Sequence, residues 1–216
     1  MPAIQQTLTK PKCHESYRNA DLFEAFDECF FKKCYLTEGA FFTSWSMDVE
    51  HFVPQIERPD LKYNWTNLYP ASHDANMMKP RNTPAGGYLD CCDPNDDVEN
   101  EILCFIDYEN DTVHFEARNS TNIKAVNTAK LLQKLHNGDT IETKRKTAEL
   151  RNAIHGKYKK ILELIDDWRV AREIRDVEAE FRTERILKGL LSRKTSFTML
   201  MRSTKAVKRL PPSFFD

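Results

Sequence analysis

Within the stretch from Met47 to Lys79, Glu50 stands beside His51, Asn67 precedes Leu68 after a turn-rich loop, and Asn76 and Lys79 fall on a short helical run. Hydrolysis of a phosphodiester needs a nucleophilic water, a base to take its proton, and a cation to neutralise charge developing on the phosphoryl oxygens and the leaving group. Histidine suits the base because its ordinary pKa lies close to neutral. A hard divalent cation such as Mg²⁺ takes carboxylate and amide oxygens and keeps several of its waters. The Glu50–His51 pair presents an oxygen ligand beside a base, and Asn76 on a facing helix offers a second oxygen. Singly, each residue has a plainer explanation: a surface or core histidine, a turn asparagine, an exposed helical asparagine. The combination, with Trp65 and the Asn-x-x-Lys spacing, points to metal-assisted phosphodiester cleavage.

Such a site needs elements that hold it. The run Ser46–Phe52 has the short apolar and β-branched character of a strand, and 52–63 carries two prolines and several charges, which reads as a loop. A short strand at 64–68 then leads to Ser72, an N-cap residue for a helix through Asn76 to Lys79 that stops at Pro80. Upstream, Asp21 and Glu24 cap an amphipathic helix whose apolar face is Leu22, Phe23, Phe26, Phe30 and Phe31. That face is expected to pack against the motif, with a strand at Cys34–Thr37 between them. Residues 1–16 show little periodicity and read as an arm. Downstream, 81–87 is a turn-rich connection, and Ile102–Tyr108 with Thr112–Ala117 predicts a hairpin around Glu109-Asn110-Asp111. Ile123–His136 is a helix ending at Asn137-Gly138. A longer helical region follows from Ile141, interrupted at Gly156, with apolar residues continuing through Ile174, Val177, Phe181 and Ile186.

Composition sets the bounds. The chain of 216 residues, with 40% hydrophobic and 30% charged residues, is long enough to bury a real core and has no window apolar enough to span a membrane. Its start lacks the apolar run of a secretion signal, so the expected compartment is the cytoplasm, where the six unpatterned cysteines stay reduced. The net charge of −1 hides an uneven distribution. From Asp90 to Glu116 there is no Lys or Arg, whereas from Arg182 to Arg209 Glu184 is the only acid. A basic tail of this kind is either a surface for a polyanion or acidic partner, or a solvated helix face.

The three segments Asp48-Val49-Glu50-His51-Phe52-Val53-Pro54, Tyr63-Asn64-Trp65-Thr66-Asn67-Leu68 and Asn76-Met77-Met78-Lys79 resemble the HNH (ββα-metal) nuclease family. Within it they are most similar to the PtuB-type proteins of Septu and retron-associated anti-phage defence. The likeness covers residues 34–94, with a weaker continuation through Asn127–Arg151. It implies that His51 is the general base, that Glu50 and Asn76 are metal ligands, and that Asn67 holds the loop and orients the histidine. It further implies that Lys79 approaches the scissile phosphate and that Asp48 stands behind the ligands. The metal would be Mg²⁺, with Mn²⁺ in its place as the second choice. The substrate would be nucleic acid, DNA ahead of RNA, and the partner a PtuA-like ATPase. An RNA- or tRNA-cleaving effector of a retron system, or an inactive adaptor of the ATPase, is the alternative.

Many relatives frame this unit with two Cys-x-x-Cys pairs around structural zinc, which would fall at Cys34/Thr37 and Ser72/Ala75. Only Cys34 is a cysteine, and one thiolate cannot build a four-ligand site, so no structural zinc is expected. Aromatic packing by Phe30, Phe31, Tyr35, Phe52 and Trp65 would take its place. The expected fold is α+β: an N-terminal arm and helix (1–33), an HNH ββα core (34–94) embedded in helices, a supporting hairpin and helix (95–140), and a helical C-terminal part with a basic tail (141–216).

Overall fold

The computed structural model describes residues 20–41 and 46–216, so the expected arm at 1–16 lies outside the described residues. The chain folds as α+β, with two separate antiparallel hairpin-like sheets set among helices. Helix α1 (Ala20–Phe30) buries Leu22, Ala25, Phe26, Cys29 and Phe30, a stripe at three-to-four spacing. It ends where Phe31 and Lys32 take left-handed backbone angles, φ 53° and 56°. The strand expected at Cys34–Thr37 is a turn instead. The left-handed entry and the Glu38 N–H donating to the Cys34 carbonyl curl the chain, leaving one isolated bridge between Lys33 and Ala40.

Strands β1 (Met47–His51) and β2 (Leu68–Ser72) pair antiparallel, from Met47 opposite Ser72 to His51 opposite Leu68. The loop between them carries 3-10 turns at Pro59–Leu61 and Trp65–Asn67. Helix α2 (His73–Met78) follows β2 directly, with the Ser72 hydroxyl accepting from the Ala75 N–H. The order is therefore strand, strand, helix, and the Asn64–Leu68 segment divides into a 3-10 turn and the start of β2. Tyr69 of β2 is the hub of the aromatic packing, with ring centroids 4.8 Å from Tyr35, 5.3 Å from Phe52 and 5.7 Å from Phe30. Phe26 lies 5.4 Å from Trp65. Each such fully buried ring contributes about 2 kcal/mol of transfer free energy. Phe31 is turned away from this cluster and lies half-buried under the Lys194 ammonium.

After the short helix α3 (Val98–Glu101) comes the second sheet, β3 (Ile102–Asp107) with β4 (Thr112–Ala117), as the alternation predicts. Helix α4 (Ile123–Asn137) protects the outer edge of β4 with side chains. The Asn137 amide accepts from the Val113 N–H and donates to the Val113 carbonyl, and Gln133 accepts from the Phe115 N–H. Helix α5 (Ile141–Lys146) stops at Thr147, and α6 (Ala148–Ile174) runs straight through Gly156, so the break falls nine residues before the expected one. Buried Arg151 explains its position: the guanidinium donates to the His136 and Lys144 carbonyls and to the Thr147 hydroxyl, tying the ends of α4 and α5 to α6.

Helix α7 (Val177–Leu191) returns along α6, and the chain closes with α8 (Thr198–Ser203) and two 3-10 turns. The apolar residues of the basic tail are core residues. Leu200, Leu210 and Phe214 are buried, Phe214 against Trp168 at 5.2 Å, in one hydrophobic cluster that reaches back to Leu22. Arg202 is buried too, donating to the Leu191 carbonyl and paired with Asp216. The apolar ending of the basic tail is thus spent inside the molecule. Among the described residues no helix is long and apolar enough to cross a membrane, and the five described cysteines are free thiols.

Candidate active site

Alternation along β1 sends Asp48 and Glu50 to one face, and the three-residue spacing of His73, Asn76 and Lys79 sets those side chains in a row opposite. The two rows meet in pairs. The Asp48 Oδ2 accepts from Asn76 Nδ2 at 3.0 Å and lies 3.0 Å from His73 Nδ1. Two residues further along β1, Glu50 Oε1 accepts from the Lys79 ammonium at 2.6 Å.

Lys79 is internal. Its side chain is 3% exposed, its Nζ also donates to the His51 and Phe52 carbonyls at 3.0 and 3.1 Å, and the Tyr35 and Phe52 rings wall it in. Where the sequence reading has Lys79 approach a phosphate, the structure has its ammonium donating to three protein oxygens. Burial pushes the Lys79 pKa down and the Glu50 pKa up, and their mutual attraction opposes both shifts. Glu50 Oε2 has no hydrogen-bond partner although it is buried, and an oxygen left so is costly unless a cation or water satisfies it.

His51 closes β1 and is largely buried. Its Nε2 lies 2.9 Å from the Lys62 carbonyl oxygen. A carbonyl can only accept, so this contact fixes the proton on Nε2 and leaves the Nδ1 lone pair as the basic position. The Gln55 amide nitrogen stands 3.2 Å from that Nδ1. Burial holds the His51 pKa below the ordinary 6.5, against the raising effect of the Lys62 carbonyl. The ring is therefore neutral at pH 7, the form a general base requires.

The Lys62 carbonyl owes its position to Asn67. The buried Asn67 Oδ1 accepts from the Val53 N–H at 2.7 Å, and its Nδ2 donates to the Val53 carbonyl at 3.0 Å and to the Leu61 carbonyl at 3.5 Å. Phe52 N–H donates to the Asn67 carbonyl as well. One side chain thus staples both ends of the loop that turns a carbonyl toward His51. Asn67 touches the loop and not the imidazole, which makes it a positioning residue.

The structure brings Asp48 to Asn76, Glu50 to Lys79, and Asn67 to the loop that orients His51. His73, whose place in the sequence suits a surface residue at a helix N-terminus better than a metal ligand, is exposed at the start of α2 with its Nδ1 beside Asp48. Oxygen donors of the kind a hard divalent ion takes stand on this face in Asp48, Glu50 and Asn76, and one Glu50 oxygen has no hydrogen-bond partner, but Asp48 meets Asn76 while Glu50 meets Lys79, and the described ligating side chains that crowd within 4.8 Å of one another are Asp90, Cys91 and Cys92.

Two sulfur positions bear on metals. Cys34 Sγ accepts from the Thr37 and Ser72 N–H groups at 3.5 and 3.4 Å, so one thiol ties the 34–37 turn to the start of α2. Asp90, Cys91 and Cys92 hold donor atoms within 4.8 Å of one another. The Cys92 thiol is pushed far up by its hydrogen bond with Cys91 and by burial, and Asp90 is already taken by the Tyr69 hydroxyl at 2.6 Å.

No protein family, curated protein or solved structure was found to match the chain.

Proposed function

We propose that this chain is a metal-dependent endonuclease of the HNH, ββα-metal kind, hydrolysing phosphodiester bonds in nucleic acid. The observation that carries the reading is His51, at the end of the first strand of a strand–strand–helix unit, its Nε2 held on the Lys62 carbonyl and its Nδ1, which the Gln55 amide faces at 3.2 Å, the candidate base. In this reading Nδ1 takes the proton of the attacking water, and the Lys62 carbonyl steadies the imidazolium that forms. A divalent cation, Mg²⁺ or Mn²⁺, would be held by Glu50 and Asn76 with Asp48 beside them, and when bound supplies the positive charge that offsets charge building on the phosphate. Asn67 keeps the loop and its carbonyl in place. Lys79, buried against Glu50, holds that carboxylate at a fixed position and leaves the phosphate to other groups.

Backbone phosphates carry no sequence information, so the chemistry sets the bond and not the site cut. DNA is the first substrate class and RNA the second, and by the same resemblance a PtuA-like ATPase is the partner. A second reading, a binding adaptor whose site does not cut, draws on one observation: Glu50 already has a cationic partner in Lys79. Purified protein incubated with plasmid, single-stranded DNA and total RNA plus Mg²⁺ or Mn²⁺ separates the two. Removing a general base costs on the order of 10²–10⁴ in rate, so His51→Ala should abolish cleavage seen with wild type. If wild type and His51→Ala are indistinguishable on every substrate, alone and with the ATPase, the nuclease reading fails.

A further inference from the structure

The turn after Leu89 gathers three ligating side chains: Asp90, Cys91 and Cys92 bring a carboxylate oxygen and two sulfurs within 4.8 Å of one another. Neighbouring side chains in a strand point to opposite sides, so adjacent cysteines converge only where the chain turns. Here the Cys92 N–H donates to the Asp90 carboxylate at 2.8 Å, and the Asp93 N–H to the Asp90 carbonyl at 3.1 Å. Asp96 closes the loop behind them. Its Oδ2 accepts from the Asp90 N–H at 3.0 Å, and the Lys124 ammonium of α4 holds the same carboxylate at 2.9 Å. The three donors therefore stand on a fixed frame.

Only one Asp90 oxygen is taken. The Tyr69 hydroxyl and the Cys92 N–H both donate to Oδ1, which fixes how the carboxylate is turned and leaves Oδ2 for a ligand. Cys91 is 5% exposed, whereas Asp90 and Cys92 are half-buried, so the group borders the core and is open to solvent on one side. A buried polar atom stands beside it. Tyr35 is 6% exposed and its hydroxyl has no hydrogen-bond partner. Tyr35 lines the same cavity as Cys91, and its hydroxyl feels the charges of Cys91, Asp90 and Glu50. A hydroxyl left so is costly unless a polar group is supplied to it, and a water carried on an ion is one such group. The surrounding charge favours a cation, since no Lys or Arg falls between Asp90 and Glu116 and Lys124 is committed to Asp96. Two sulfurs select a soft or borderline ion over Mg²⁺. Two thiolates and a carboxylate are a zinc donor set, with Zn–S at about 2.3 Å and the fourth tetrahedral position left to water. The thiol–thiol hydrogen bond that keeps Cys92 protonated belongs to the metal-free pair, and an ion bound to both sulfurs displaces it together with the protons.

We propose that Asp90, Cys91 and Cys92 form a binding site for a thiophilic divalent ion, Zn²⁺ by its donor set, which fastens this turn to Tyr69 at the β2 position opposite Glu50. This holds whether or not the His51 face cleaves nucleic acid. The test is a titration of the full-length protein, stripped with chelator, first with Co²⁺ and then with Zn²⁺. Wild type should take up one Co²⁺ with a thiolate-to-metal charge-transfer band and lose that band to Zn²⁺ added in the micromolar range. Excess Mg²⁺, which seeks oxygen and not sulfur, should leave the band in place. Cys92→Ser, at a half-buried position, should melt as wild type does in chelator, yet give a weaker band and bind on the order of a hundredfold more weakly. Asp90→Asn, which keeps an oxygen for the Tyr69 hydroxyl, should keep the band and lose affinity. Zn²⁺ should raise the unfolding midpoint of wild type and not that of Cys92→Ser. A wild type without the charge-transfer band, or one that binds Zn²⁺ only in the millimolar range, overturns the proposal. So does a band that Cys92→Ser leaves at full strength, or one that is lost with Cys29→Ser or Cys104→Ser instead.

Discussion

At the scale of single residues, the protonation of His51 makes the most direct prediction. Burial holds its pKa below 6.5, and the proposed base works only when neutral. Cleavage should therefore be flat through neutral pH and fall as pH drops below 6.5 toward the depressed pKa, the loss lying wholly on the acid side. A rate profile with its acid limb centred above 6.5 would contradict this. Lys79 separates two roles. If it met a phosphate, Lys79→Met would weaken substrate binding and leave stability alone. Buried as it is against Glu50, its loss strands a carboxylate, and removing one member of a buried pair costs about 3–5 kcal/mol. Lys79→Met should lower the urea midpoint accordingly, and adding Glu50→Gln should restore much of the loss. The spacing from Asn76 to Lys79 put this residue on the correct helix face. What it could not convey was the depth of that face, which Tyr35 and Phe52, distant in sequence, create by walling in the ammonium.

At the scale of elements, the loop between β1 and β2 depends on one amide. Asn67→Ala leaves the Val53 N–H and carbonyl and the Leu61 carbonyl without their partner. Unmet buried groups cost about 1–3 kcal/mol. With the loop loosened, the Lys62 carbonyl drifts from His51, so kcat should fall with KM little changed, while His51 itself remains. A matched loss in KM alone would place Asn67 on the substrate instead. Elements whose pattern is local were legible: the β3–β4 hairpin announces itself by alternation around a turn, α2 by Ser72 and Pro80, and the close of α4 by Gly138 at φ 70°. Those decided by distant partners were not. The run Cys34–Thr37 has strand composition, yet left-handed Phe31, Lys32 and Glu38 bend it into the turn that the Cys34 sulfur fastens to Ser72. Gly156 looked like a break, and α6 passes through it because packing on both sides of that position outweighs the roughly 1 kcal/mol a helical glycine costs.

At the scale of the whole molecule, the C-terminal stretch has two characters that composition merges. Its charges, Lys194, Lys205, Lys208 and Arg209 among them, face outward or half outward, while its apolar residues complete the core. Leu187, Leu191, Met199, Leu200, Met201 and Phe214 pack from the C-terminal side onto helices and strands laid down earlier, and Lys33 reaches from beside α1 to the Arg193 and Thr195 carbonyls. A tail that merely docked a partner could be cut at Phe181 with the remainder still folded. A tail that closes the core cannot: truncation there should give insoluble protein or a chain without a cooperative transition. Because a truncated chain fails for many reasons, the sharper experiment is a single side chain. Phe214 is 2% exposed and meets Trp168 edge-on, and Phe→Ala at a buried position costs about 3–5 kcal/mol. Phe214→Ala should therefore lower the unfolding midpoint by an amount of that order, whereas Lys205→Ala and Lys208→Ala, at exposed positions, should leave it unchanged. If Phe214→Ala is as stable as wild type, the tail is an appendage and not part of the core.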